Sequence, residues 1–174
     1  MTSIVVADAG PLHYLVLIDC ASILEKLFDQ VLIPGAVRDE LLHQNTPPKV
    51  KAWITHPPGW LKLELVANVQ PIRGLHPGEI EALQLALQAK AAGVLMDDRD
   101  GRKAARQLGV PVISTVGLLE LAAEKQLMKL PDAIAQLRQT NFFISPEILD
   151  QALERDRLRR EQTRQIQKDP GIKP

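Results

Sequence analysis

The stretch Ile4-Val5-Val6-Ala7-Asp8-Ala9-Gly10-Pro11-Leu12 decides the fold. Ile4–Ala7 is short, rich in β-branched residues and free of polar breaks, which is how a parallel strand buried on both faces reads. Asp8 closes it. Pro11 follows where a first helical turn tolerates proline, because no backbone N–H is needed there. The same grammar recurs downstream. Val31-Leu32-Ile33 is stopped by Pro34-Gly35, Val94-Leu95-Met96 is closed by Asp97-Asp98, and Val110–Ile113 ends in Ser114-Thr115. Leu61–Val66 alternates leucine with charge and suggests a partly exposed strand.

Helical periodicity fills the gaps. It predicts a helix over 12–27 broken near Asp19–Ser22, another over 36–43, a short one within 49–60 and a long one from Gly78 to Ala91. Further helices are expected over 99–108, 116–125 and 132–139, with Gly109 as a C-terminal stop. Phe142-Phe143-Ile144 reads as a sheet or packing segment. Ser145 and Pro146 then open a long final helix that becomes highly charged and is expected to fray after about Arg164. Strands alternating with helices predict an α/β chain: a three-layer α/β/α sandwich with a central parallel sheet of four to five strands, plus a charged C-terminal helix. The expected division is a domain over 1–150 and a charged helical tail over 151–174.

Composition narrows the function. The 174 residues suffice for one domain with a real core. Aromatic residues make up only 3% of the chain, which argues against a base-stacking platform. Cys20 is the sole cysteine, so no disulfide can form within the chain, as suits a reducing cytoplasm. No charged segment followed by an apolar one marks a secretory signal, and no apolar run approaches the roughly 18 residues of a membrane span. A cytoplasmic protein is expected. Net charge is zero but uneven: residues 1–100 carry 8 basic and 12 acidic side chains, residues 101–174 carry 13 and 9. The basic half ends in Arg155, Arg157, Arg159, Arg160, Arg164 and Lys168, which suits a polyanion or partner contact, or simply a solvated helix face.

The acidic half holds the chemistry. Asp8, Asp97 and Asp98 follow strands, while Glu79 and Glu81 open the helix leading into Val94–Met96. In an open α/β sheet these positions converge on one edge. Carboxylates gathered there repel one another unless a cation or proton intervenes. Hard oxygen donors on separate elements suit Mg²⁺ or Mn²⁺. Such an ion can activate water and neutralise a phosphodiester, so no side-chain nucleophile is required. Each acid also has a structural reading. Glu79 and Glu81 favour the helix dipole, Asp97-Asp98 can cap the next helix, and Asp8 can cap the first. Residues two apart on a helix do not share a face, so one of Glu79 and Glu81 should face the site fully, and Asp97 and Asp98 should diverge.

Val5–Leu12, Val31–Glu40, Gly78-Glu79-Ile80-Glu81-Ala82, Leu95–Arg99 and Val112–Leu119 together resemble the PIN-domain superfamily, in the nucleic-acid-binding branch related to VapC-type toxins. The resemblance covers about residues 4–150. It implies a metal-dependent endoribonuclease acting on single-stranded RNA. Asp8 matches the family's first-strand aspartate and Glu40 its second-helix acid. Glu81 best matches the third acid, with Glu79 close enough to substitute. Asp98 best matches the fourth, with Asp97 as the alternative register. In the family these acids hold Mg²⁺ or Mn²⁺. Ala9 and Gly10 stand where the family often has Ser or Thr, and Glu81 replaces the usual aspartate. Ser114 and Thr115 could supply hydroxyls instead, although Thr115 can equally serve as a helix cap.

A toxin of this type would meet a neutralising antitoxin, and the apolar helices at 12–28 and 116–139 could supply a homodimer face. The rival reading is a catalytically weak PIN-like module that binds nucleic acid or protein. A phospho-receiver domain also gathers acids at strand ends, but it needs a lysine after the last strand, where Ser114-Thr115 stand here.

Overall fold

The computed structural model describes residues 3–168, so the tail expected over 151–174 is described only in part. The strands are β1 (Ile4–Ala7), β2 (Gln30–Ile33), β3 (Leu61–Leu63), β4 (Gly93–Leu95) and β5 (Val112–Ile113). They form one sheet in the order β3-β2-β1-β4-β5, and every pairing is parallel. β1 lies at its centre. Val5, Val6 and Ala7 are fully buried, as are Val94 and Leu95 in β4. That burial is why these segments carry no polar alternation: each valine removed from water contributes about 1.5–3 kcal/mol, and a polar side chain on either face would forfeit it.

Six helices belong to the same unit: α1 (Ala9–Leu17), α2 (Ile23–Leu27), α3 (Gly35–Leu41), α4 (Pro48–Thr55), α5 (Pro77–Gln88) and α6 (Arg99–Gln107). The break between α1 and α2 is where the sequence places it, with Asp19 in the left-handed region at φ 56°. From β1 the chain moves outward through β2 to β3, then crosses back to β4 and β5 on the other side. Helices flank this sheet in a three-layer α/β/α arrangement, with α3 packed against α5 as well as against α1 and α4. Direction reverses between β1 and β4. At such a reversal the flanking helices diverge and leave a crevice at the carboxyl ends of the two strands.

The chain divides into two compact units, the first ending at Gly117 and the second beginning at Leu118. α7 (Thr115–Glu124) opens in the first and continues into the second, followed by α8 (Leu130–Leu137) and α9 (Pro146–Lys168). The second unit buries Leu118, Leu119, Leu130, Ile134, Leu137 and Leu149. The boundary expected at residue 150 falls inside α9. That helix also continues past Arg164 to Lys168, helped by the ion pairs of Arg157 with Glu154 and Glu161 at 2.6 and 2.7 Å. Phe142-Phe143-Ile144 forms no strand, and Phe143 is fully exposed. The apolar triplet misleads because it links α8 to α9 and has no strand beside it. Among the described residues no helix is long and apolar enough to cross a membrane.

Candidate metal centre

β1 pairs with β4 so that Ala7 lies opposite Leu95, and the Asp8 N–H continues the ladder by donating to the Leu95 carbonyl at 3.0 Å. Asp8 and the Asp97 backbone thus leave the sheet side by side at the reversal point. α3 and α5 meet over the same edge, because Gly78 lets them approach. A methyl group on Gly78 would stand 2.9 Å from Glu40 Oε2 and 3.5 Å from Asp8 Oδ1. Those two oxygens are therefore no more than about 6.4 Å apart, within reach of a shared ion or ion pair.

Asp8 occupies the N-cap position of α1 with extended backbone, φ −78° and ψ 165°, yet its side chain makes no cap bond. An N-cap carboxylate bonds the N–H of the second or third helical residue; here the third is Pro11, which has none, and the Gly10 N–H at the second is not used. Asp8 is buried, and its Oδ1 has no hydrogen-bond partner. Its pKa is raised from 3.8 to about 7, first by burial and then by the negative charges of Glu40, Glu79 and Asp97, while the Ala9 N–H works against the rise. Each of those three acids is raised as well. Burial leads in every case, assisted at Glu79 by Asp98 and Glu40. Four carboxylates from β1, α3, α5 and the end of β4 thus share one negative field.

The other two sequence candidates are occupied by capping. Asp98 Oδ1 accepts from the N–H groups of Asp100 and Gly101, each at 2.8 Å, and so caps α6. Glu81 Oε2 accepts from the Ala36 N–H at 3.0 Å, at the start of α3. Glu79 also has a structural bond, from the His76 N–H to its Oε2 at 3.0 Å, but it stays buried within reach of Asp8. The neighbours diverge in both pairs. The register preferred from the sequence is Glu81 with Asp98; the charges that raise the Asp8 pKa are those of Glu40, Glu79 and Asp97, and Asp98 in turn raises that of Glu79.

Sequence reasoning left one part of this arrangement open, naming Thr115 as a hydroxyl donor or a helix cap, and missed another. Thr115 is fully buried and donates both its N–H (2.8 Å) and its hydroxyl (2.5 Å) to Asp97. It therefore clamps that carboxylate from the start of α7. The signal was a threonine at a strand end, a position that an ordinary helix cap explains equally well. Gly78 is the other, and its proximity to Glu79 in the sequence was the only hint of it.

The donors suit a hard divalent cation in kind, and the unpartnered buried Asp8 oxygen marks where a positive ligand would be welcome. The fit is one of neighbourhood, not of a finished cage. Among the described residues no three His, Cys, Asp or Glu side chains converge closely enough to hold an ion as they stand. A family model described as PIN domain matches residues 4–157. No curated protein matches the sequence.

Proposed function

The chain belongs to the PIN-domain family, and on that premise we propose that it is a divalent-metal-dependent endoribonuclease of the VapC toxin type, acting on single-stranded RNA. PIN domains are typically nucleases and generally use divalent metals. The observation that carries the reading is Asp8: a buried carboxylate without a side-chain cap bond, its Oδ1 unpartnered, and pressed by Glu40, Glu79 and Asp97. These four residues are the proposed ligands of Mg²⁺ or Mn²⁺. Glu81 and Asp98 are assigned to holding α3 and α6 at the rim. When bound, the ion would supply Lewis acidity toward the phosphodiester and a more acidic water.

The remaining work falls to the chain. Thr115 fixes both Asp97 oxygens and so fixes one wall of the crevice. Arg102, on α6, lies near enough to Asp97 to lower its pKa and temper the local negative charge. Gly78 keeps the floor open for Glu40 and Asp8. Near neutral pH the Asp8 carboxyl holds a proton part of the time, and ligation requires that proton to leave. A protein antitoxin and a homodimer belong to the same proposal, as does the division into a PIN domain over 1–150 and a charged helical arm after it. The test is cleavage of a fluorescent single-stranded RNA with Mn²⁺. Asp8→Asn should abolish it with the fold intact; undiminished cleavage by the purified variant removes the assignment.

One observation favours a second reading, a PIN-like module that binds RNA or protein with little catalysis. The carboxylates are not pre-assembled, and Ala9 and Gly10 bring no hydroxyl. Calorimetry separates the two: absence of Mn²⁺ binding at millimolar concentration favours the module.

A further inference from the structure

The second unit contains a cavity of about 470 Å³ bounded by the α7–α8 turn and α9. That volume is within the range of small-ligand sites. Lys129, Arg159, Arg160 and Arg164 line it, against Glu124 and Asp156. Asp156 is buried; its Oδ2 is ion-paired with Arg160 Nη2 at 2.8 Å but accepts no hydrogen bond. Arg159 Nη1 stays 4.0 Å from Asp156 Oδ1, is itself buried and has no hydrogen-bond partner. The side chains of Lys129 and Arg164 have no ion-pair or hydrogen-bond partner among the described residues. The contrast with the outer face of α9 is plain. There Arg157 is spent on Glu154 and Glu161, and on the side toward α7 Arg155 is spent on Glu120. Unspent donors are thus gathered in the cavity.

Arg159 Nη1, buried without an acceptor, and the exposed, unpaired Lys129 and Arg164 beside it call for a ligand that brings oxygen and negative charge. No aromatic side chain lines the cavity, so it offers charge and hydrogen bonds without a stacking surface. We infer that this cavity is a binding site for the phosphate groups of a single-stranded RNA, engaged by Arg159, Arg164 and Lys129, with Asp156 positioning the guanidiniums. The choice of RNA as the source of phosphate rests on the ribonuclease reading; the need for an anion does not.

The test uses the full chain in EDTA, which stops metal-dependent cleavage, and a fluorescein-labelled decauridine followed by anisotropy over a chloride series. Arg164→Ala and Lys129→Ala should each weaken binding about tenfold. The slope of log affinity against log salt should fall by about 0.7 for each phosphate that a variant no longer engages. Arg157→Ala makes the same charge change outside the cavity and should bind within about twofold of the parent. Arg164 has no partner to lose, so its removal leaves the fold intact, which a thermal melt verifies. Equal binding by all three variants, or no binding by the parent, overturns the proposal. Calorimetric binding of AMP that requires Arg164, with decauridine binding unaffected by that residue, reassigns the cavity to a small phosphate and overturns the strand. If Asp8→Asn retains cleavage, the catalytic reading fails while the comparison of Arg164→Ala and Lys129→Ala with Arg157→Ala stands.

Discussion

Asp8→Asn should make the metal-free protein more stable at alkaline pH. In the folded chain Asp8 titrates at about 7, against an ordinary value of 3.8. Between those values the folded state holds a proton that the unfolded state has released. Stability therefore falls as pH rises, by about 1.4 kcal/mol per pH unit. By pH 8 the whole cost is present, about 4 kcal/mol, and below the unfolded value it vanishes. The asparagine side chain is neutral at every pH and should remove that cost while keeping nearly the same shape. For a chain of this size the difference corresponds to a melting-temperature rise on the order of 10 °C at pH 8, shrinking toward pH 4. The assay is thermal unfolding by circular dichroism in EDTA at pH 4, 6 and 8, parent beside variant. A variant that melts at or below the parent at pH 8, with a parallel pH profile, refutes the claim that Asp8 is a destabilised carboxylate.

Mn²⁺ should reverse the comparison. At pH 8 saturating ion should raise the parent's melting temperature by several degrees, as any ligand selective for the folded state does, and leave Asp8→Asn unmoved; calorimetry should show affinity for Mn²⁺ rising with pH up to about 7 and then levelling. Gly78→Ala should displace the Glu40 carboxylate, because the new methyl would lie 2.9 Å from Oε2. Its predicted signature is Mn²⁺ affinity reduced at least about tenfold with stability changed by less than about 1 kcal/mol, since alanine is the better helix former; unchanged affinity contradicts the shared floor. Asp98→Ala should cost about 1 kcal/mol through the missing cap bonds and leave Mn²⁺ affinity nearly intact, whereas Asp97→Asn should do the opposite. The reverse ranking by melts and titration would restore Asp98 as the ligand.

The parallel sheet was legible because burial on both faces leaves β1, β2 and β4 no room for polar alternation, so their apolar runs are continuous. β3 and β5 were legible as well, from alternating leucine and from an apolar run, but they span only three and two residues, shorter than the Leu61–Val66 and Val110–Ile113 expected. The edge where the acids gather was also legible, since strand ends and helix starts follow from alternation alone. Which acid of each pair turns inward was not. Glu81 is drawn away by the Ala36 N–H and Asp98 by the α6 N-terminus, and both partners come from geometry that exists only after folding. Thr115 holds Asp97 across 18 positions of sequence, and the Gly78 clearance exists only where α3 meets α5. That Pro11 withholds one of the two cap donors from Asp8 could have been read directly; that the Gly10 N–H also goes unused could not. The cavity of the second unit could not, with Lys129 and Arg164 brought together only by the folding of α8 against α9.

Anomalous diffraction from a manganese-soaked crystal tests the central claim most directly. A peak bounded by oxygens of Asp8, Glu40, Glu79 and Asp97, absent from an Asp8→Asn crystal, is the predicted result. A peak ligated instead by Glu81 and Asp98, or none within reach of Asp8 at saturating Mn²⁺, would contradict it.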